Sequence, residues 1–334
     1  MYPQPAKILV IQTASIGDVV LSTALAESLH QRFPQAIMHY LVRSGYESLF
    51  AGHPYISKVW VWEKRRHKYR SLFRLIGQVK AEKYDLVVNV QRFASSGLIT
   101  VLSGARVTSG FTKNPLSRFF THAYPHRIEV AEGSPHEVER NHTLLGFLDN
   151  ILPSRPALYP SETDFKSTGV YKNLPYFTVS PASLWFTKQY PEEKWVELIG
   201  NLPRGHNIYL LGSKADNALC NRIIKTSGHP FAQNLSGKLS LLQSAALMKH
   251  ARMNYTNDSA PMHLASAVNA PVAAIFCSTV PEFGFGPLSD MAFVVQTAET
   301  LSCRPCGLHG RKTCPEGHFS CAYGIQTAQL TKVL

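Results

Sequence analysis

The sequence predicts an α/β protein built from two doubly wound domains with mostly parallel sheets. Three observations predict it. Strand-like runs alternate with helix-like runs from the start of the chain. The alternation breaks near residue 155 at a proline-rich stretch and then resumes. And 334 residues are too many for one typical core but suit two domains of roughly 150 residues each. The boundary is placed between residues 155 and 156, giving domains 1–155 and 156–334.

The elements follow in order. Lys7 to Gln12 is a short, β-branched, apolar run that reads as a strand. Thr13-Ala14-Ser15-Ile16-Gly17 is a small-residue turn, and Asp18 to Leu25 opens a helix that ends before Pro34. Ala36 to Val42 is a second strand and Val59 to Trp62 a weaker third. Leu72, Ile76 and Val79 have helical spacing within a basic segment. Leu86 to Val90 is a buried strand, and Val107 and Phe111 frame a fifth. The alternation implies parallel strands with helices on both faces. Pro153, Pro156 and Pro160 then hold an extended linker. Beyond it, strands are predicted at Tyr176 to Ser180, His206 to Leu211, Met253 to Thr256 and Pro271 to Phe276. Helices are expected with Pro191 in the first turn, at Leu239 to His250, and from about Pro261 to Val268. Ligands of open α/β sheets bind beyond the strand C-termini, so the site is expected in the cleft between the two halves.

Composition narrows the class. Hydrophobic residues make up 45% and charged residues 17%, an ordinary globular balance rather than a disordered one. No apolar run approaches the ~20 residues needed to cross a bilayer. Met1-Tyr2-Pro3-Gln4-Pro5 lacks the pattern of a secretory signal, so a cytoplasmic protein is expected. The net charge of +12 suggests an acidic partner: nucleic acid, anionic lipid or a phosphorylated substrate. Lys58, Lys64, Arg65, Arg66, Lys68, Arg70 and Arg74 crowd one stretch, which by itself also reads as a solvated helix face.

Four groups of residues can carry chemistry. Asp18 follows Gly17 at the first strand–helix turn, where a carboxylate can take a proton from a substrate hydroxyl. The same position favours an aspartate that caps a helix, and both readings stay open. No full G-x-G-x-x-G surrounds it, which argues against a standard dinucleotide site. Asn257-Asp258-Ser259-Ala260-Pro261-Met262-His263-Leu264 follows a strand and opens a helix, whose backbone N–H groups can cradle a phosphate. There Asp258 caps the helix or binds sugar hydroxyls, and His263 reaches the ligand or packs. Lys188, after Ser180-Pro181-Ala182-Ser183, precedes a further helix and can neutralise a diphosphate. Finally, Cys303, Cys306, Cys314 and Cys321 share nineteen positions with His309 and His318. Tetrahedral zinc and packed free thiols both fit such a cluster, the spacing matches no well-known zinc module, and no metal is assigned.

Taken together, these segments resemble glycosyltransferase family nine, the heptosyltransferases of lipopolysaccharide core synthesis. The matching stretches run in family order: Lys7 to Asp18, His136 to Asn141, Thr187 to Trp195, Leu210 to Ser213, Thr256 to Leu264 and Pro271 to Phe276. The cysteine-rich tail also resembles one branch of the family. The resemblance implies a GT-B architecture of two Rossmann-like domains facing across a cleft, the first binding acceptor and the second the nucleotide sugar. It implies inverting transfer, usually from ADP-heptose, without a cofactor or catalytic metal. By position, Asp18 would be the general base and Lys188 would bind the donor diphosphate. Asp258 would hold sugar hydroxyls, Ser259 and Ala260 would contact phosphate, Ser183 would lie near the phosphates, and Asp216 near the ribose. Lys64, Arg65, Arg66, Lys68 and Arg70 would then meet a lipid-linked anionic glycan at the inner face of the cytoplasmic membrane. Two stretches depart from the family pattern: Asn89-Val90-Gln91-Arg92, where many members have an acidic residue and Gln-Gly, and Leu184-Trp185-Phe186, where small or polar residues are frequent. The competing readings are a related transferase with another nucleotide sugar, a non-catalytic nucleotide binder, and a basic nucleic-acid-binding protein. No recognisable module supports the last, so no nucleic-acid partner is assigned.

Overall fold

The computed structural model describes residues 4–64, 68–131 and 133–333. The chain divides into two compact units, Met1–Ile128 with Pro135–Tyr159, and Glu129–Ser134 with Pro160–Leu334.

The first unit runs β1 (Lys7–Ile11), α1 (Ile16–Arg32), β2 (Ile37–Arg43), β3 (Ile56–Trp62), α2 (Lys68–Ala81), β4 (Leu86–Asn89), α3 (Ala94–Leu102), β5 (Val107–Phe111), β6 (His122–Tyr124) and α4 (Glu137–His142). Its six strands are parallel in the order β3-β2-β1-β4-β5-β6. Strands covered on both faces become continuously apolar, as in β1, where Ile8, Leu9, Val10 and Ile11 are all buried. The stripe Leu72, Leu75, Ile76 and Val79 of α2 packs on Leu9, Ile11, Leu41 and Val87. Each such side chain contributes about 1.5–3 kcal/mol by burial.

The second unit runs α5 (Glu162–Ser167), β7 (Tyr176–Ser180), α6 (Glu192–Asn201), β8 (Asn207–Leu210), α7 (Asn217–Ser227), β9 (Ala232–Asn234), α8 (Leu241–Met248), β10 (Met253–Asn257), α9 (Ala260–Ala267), β11 (Val272–Ile275), β12 (Ala292–Val295), α10 (Ser320–Tyr323) and α11 (Thr327–Thr331). Its parallel order is β12-β11-β10-β7-β8-β9. Trp195, Leu198, Ile199 and Leu202, spaced i, i+3, i+4 and i+7, bury one face of α6 in the core. Substituting Leu198 with alanine would cost about 2–5 kcal/mol through lost contacts and a cavity.

Counted from its own first strand, each sheet has the order 3-2-1-4-5-6, the Rossmann order. The direction of winding reverses between strands one and four. Those switch points lie between β1 and β4 in the first unit and between β7 and β10 in the second. Pro191 proves to be the residue that caps α6 rather than one within its first turn. No helix among the described residues is long and apolar enough to cross a membrane.

Candidate active site

The second switch point brings two of the sequence-predicted residues together. Lys188 ends a short turn after β7, and Asp258 immediately follows β10. Because those strands are paired neighbours, the Lys188 Nζ reaches Asp258 Oδ2 at 2.6 Å. Thr279 Oγ1, from the loop after β11, donates to the same oxygen at 2.6 Å. Asp258 therefore does not cap α9. The cap residue is Ser259, whose hydroxyl bonds Asn257 O at 3.3 Å rather than the first-turn amides. Asn257 fixes the geometry beneath: its amide donates to Pro181 O at 2.8 Å and accepts from Tyr190 N at 2.9 Å. A cation, a helix N-terminus and a carboxylate thus converge at strand ends, an arrangement that can receive an anion carrying hydroxyls.

Sequence reasoning missed what supports Lys188. Arg304, in the cysteine-rich tail, donates to the carbonyls of Phe276 (3.2 Å), Cys277 (2.7 Å) and Thr279 (2.8 Å) and to Gln296 Oε1 (2.7 Å). It holds the loop that presents Thr279 to Asp258. Cys306 N donates to Ser278 O at 2.9 Å, and Ser278 Oγ to Thr187 Oγ1 at 2.9 Å. Arg311 N also donates to Thr187 Oγ1, at 2.7 Å. Gly310 has φ +74°, and a Cβ there would sit 2.9 Å from Lys188 Cγ. The tail is therefore a brace on the Thr187–Lys188 turn. The sequence signal was present in Arg304 and Gly310, interleaved with the cysteines, but their partners lie far away along the chain.

The other donor-site candidates lie in the same unit. Ser183 and Ala260 are half-buried, and Ser183 O accepts from Gln189 Nε2 at 2.7 Å. His263 is buried one turn into α9. Asp216 lies beyond β8, where Oδ2 accepts from the N and Oγ of Ser213, both at 2.7 Å. All six cysteines are free. Among the described residues no group of three or more His, Cys, Asp or Glu could hold a metal ion. Burial, with Cys306, Cys314 and Cys303 nearby, pushes the Cys321 thiol up to about 11.

The first switch point carries Asp18. It is the third residue of α1, and its Oδ2 accepts from Ser15 N at 3.0 Å and Ser15 Oγ at 2.6 Å. The helix-capping role is thus realised, on a half-buried side chain at the strand-end edge. A buried amide network supports the turn. Gln12 Oε1 accepts from Ala14 N at 3.0 Å and from Gln91 Nε2, Asn89 Oδ1 accepts from Gln91 N at 2.9 Å, and Asn114 donates to Gln91 O at 2.9 Å. The departure at Asn89 to Gln91 from the family pattern is therefore part of the scaffold beneath Asp18.

Lys64 is tied to the same turn, with Nζ 2.8 Å from Thr13 O and 3.0 Å from Thr13 Oγ1. Arg70 is exposed on α2. Arg65, Arg66 and the side chain of Lys68 lie outside the described residues. Elsewhere in this unit, Glu137 accepts from His126 Nε2 at 3.1 Å and from Arg140 Nε at 2.9 Å. Burial raises its carboxyl, but His126 and Arg140 outweigh that and hold it below the usual range.

The model of glycosyltransferase family 9 (heptosyltransferase) matches residues 72–318. Lipopolysaccharide heptosyltransferase 1 of Pseudomonas aeruginosa is 28% identical over 328 residues, covering 92% of this chain and 87% of that protein. Lipopolysaccharide heptosyltransferase 3 of Escherichia coli is 27% identical over 279 residues, covering 79% and 81%. The solved structure of E. coli ADP-heptose lps heptosyltransferase II superposes with a TM-score of 0.76 at 22% identity, covering 98% of each chain. With its paired Rossmann-like sheets, the protein is a glycosyltransferase of the GT-B fold class. It belongs to glycosyltransferase family 9. The family match spans Ser183, Lys188, Asp216 and Asp258 to His263. Asp18 precedes it.

Proposed function

We propose that this chain moves a heptose from ADP-heptose to a lipopolysaccharide inner-core acceptor, with inversion at the anomeric carbon. The observation that carries the reading is the Lys188–Asp258 pair at 2.6 Å, set at the switch point beside the N-terminus of α9. Family membership and the names of the similar enzymes supply the sugar and acceptor class. Lys188, with the backbone amides of Ser259 and Ala260, meets the diphosphate. Thr279 and Lys188 both occupy Asp258 Oδ2, so Oδ1 is the oxygen that a sugar hydroxyl would meet. Asp216 takes ribose hydroxyls, Ser183 lies by the phosphates, and His263 supports the helix start from within.

In the reaction an acceptor hydroxyl attacks the anomeric carbon and gives its proton to Asp18. The bond from that carbon to the diphosphate oxygen breaks, and ADP leaves with the electron pair. Its new charge is met by Lys188 and the positive end of α9. No step in this scheme assigns work to a metal. The acceptor is a lipid-linked anionic glycan met by Lys64, Arg65, Arg66, Lys68 and Arg70, with the enzyme working at the inner membrane face.

Calorimetric titration with ADP, UDP and GDP tests the donor half. Selective ADP binding, weakened in Asp258→Ala, is expected. A preference for UDP or GDP would replace the sugar donor while keeping the transferase. For the acceptor half, a folded Asp18→Ala protein should bind ADP normally and lose turnover by roughly 10²–10⁴-fold. Wild-type turnover in that variant refutes the base assignment.

A further inference from the structure

Among the described residues of the first unit, four aromatic side chains are strongly exposed: Tyr69 at 69%, Phe73 at 63%, Phe93 at 52% and Phe119 at 54%. None contributes to the proposed chemistry. All four lie on the successive connections β3-α2-β4, β4-α3-β5 and β5-β6. Right-handed crossovers moving the same way along a parallel sheet fall on the same face, and α2 packs against α3. Asn114 fastens the third connection to the second through Phe93 O at 3.0 Å. The connections that carry the exposed aromatics therefore share one face of the sheet.

The sequence of these connections is also rich in cations. Between residues 64 and 128 the chain has thirteen Lys and Arg and two acidic residues, Glu82 and Asp85. Both acids are already neutralised by ion pairs, Glu82 with Lys7 and Lys58, and Asp85 with Arg106. On α2 the exposed positions alternate in kind: Tyr69 and Phe73 are spaced i, i+4, as are Arg70 and Arg74, while Leu72, Leu75, Ile76 and Val79 fill the core. The guanidiniums of Arg92 and Arg118 lie over the rings of Phe93 and Phe119, at 5.4 and 4.7 Å. Solvated arginines alone would describe a charged face. Four exposed rings set among them add apolar surface that water does not favour.

We propose that this face is a docking surface for an anionic phospholipid bilayer, with Tyr69 and Phe73 entering the interface and Arg70 and Arg74 meeting lipid phosphates. Aromatic rings settle at the headgroup level, and basic residues are drawn to the negative cytoplasmic leaflet. No second helix stripe is needed, because the buried stripe of α2 faces the core and the exposed one faces out. The inference rests on the proposed lipid-linked acceptor: an enzyme that docks on this face meets its substrate by diffusion in two dimensions. A nucleic acid would use the same charge, but rings on a convex helix offer no groove along which a strand could run.

Co-sedimentation of the full chain with sucrose-loaded vesicles tests the surface. Vesicles of phosphatidylethanolamine with phosphatidylglycerol should bind it, and phosphatidylcholine vesicles should not. Arg74→Gln should lower partitioning about fivefold. Tyr69→Ser with Phe73→Ser should lower it roughly tenfold or more, while transfer to a delipidated, soluble acceptor stays at the wild-type level. That second readout separates failure of docking from failure of the proposed transfer. Both substitutions are at exposed positions, and an unchanged unfolding midpoint confirms the fold. A Phe73→Trp variant gives a direct signal: its emission in excess of wild type should shift to shorter wavelength on anionic vesicles. Wild-type partitioning by the double variant, an unshifted excess emission from vesicle-bound Phe73→Trp protein, or tight oligonucleotide binding without vesicle binding would each overturn the proposal.

Discussion

Arg304→Lys tests the idea that the cysteine-rich tail braces the donor site. The guanidinium makes four hydrogen bonds, three to carbonyls of the loop after β11 and one to Gln296. Phe276, Cys277 and Thr279 are essentially fully buried, so water does not replace a lost donor. A lysine keeps the charge but not the planar fork. Even if its ammonium satisfies two of the acceptors, roughly two are left unpaired. At about 1–3 kcal/mol for each buried unsatisfied group, the expected loss is about 2–4 kcal/mol, allowing for relaxation. Urea unfolding followed by tryptophan fluorescence measures it, because Trp195 lies in the core of this unit. The same loop carries Thr279, whose bond helps to fix Asp258 beside Lys188. ADP affinity measured by calorimetry should therefore fall by roughly tenfold, about 1.4 kcal/mol. A loss of stability under about 0.5 kcal/mol with wild-type ADP affinity would refute the brace.

Three further outcomes are expected. Gly310→Ala places a Cβ against Lys188 at a left-handed backbone position; it should destabilise by about 1–2 kcal/mol and weaken ADP binding, whereas a strain confined to the loop would change stability alone. Burial raises Glu27 to about 7, outweighing the hydrogen bond from Tyr159. The folded state then holds a proton that the unfolded chain releases at lower pH, so this group's contribution falls as pH rises from the usual carboxylate range to about 7. Subtracting the stability–pH curve of Glu27→Gln from that of wild type should reveal this slope and cancel most of the opposing change from His53, which burial lowers to about 4; parallel curves would contradict it. Gln91→Leu removes the side-chain amide that donates to Gln12 Oε1 beneath the Asp18 turn, and should reduce turnover more than ADP affinity, as steady-state kinetics and calorimetry together would show.

The most apolar strands were legible because a strand covered on both faces favours apolar side chains along its length. β1 and β4 stand out for that reason. The short strands β6, β9 and β12, of three or four residues, carry too few side chains to show a pattern. β6 and β9 close sheet edges where burial is partial. Helix α3 was hidden by its Ala-Ser-Ser-Gly opening, which reads as a loop. It is held as a helix by packing, with Ile99 in the core and Gly97 so close to Asn114 that a Cβ would not fit.

The candidate site divides in the same way. The sequence by itself determined which residue types follow each strand: Asp18 after β1, Lys188 after β7, and Asp258 with Ser259 before α9. Those follow from local turn and helix-start chemistry, which depends on neighbours a few residues apart. Only the tertiary structure decided that Asp258 binds Lys188 and Thr279 instead of capping a helix, and that the cysteine-rich tail supports Lys188. Both outcomes depend on which strands are adjacent in the sheet. Strand order brings together loops separated by 70 residues or more (Lys188 and Asp258 among them), and no local pattern in the chain encodes that neighbourhood.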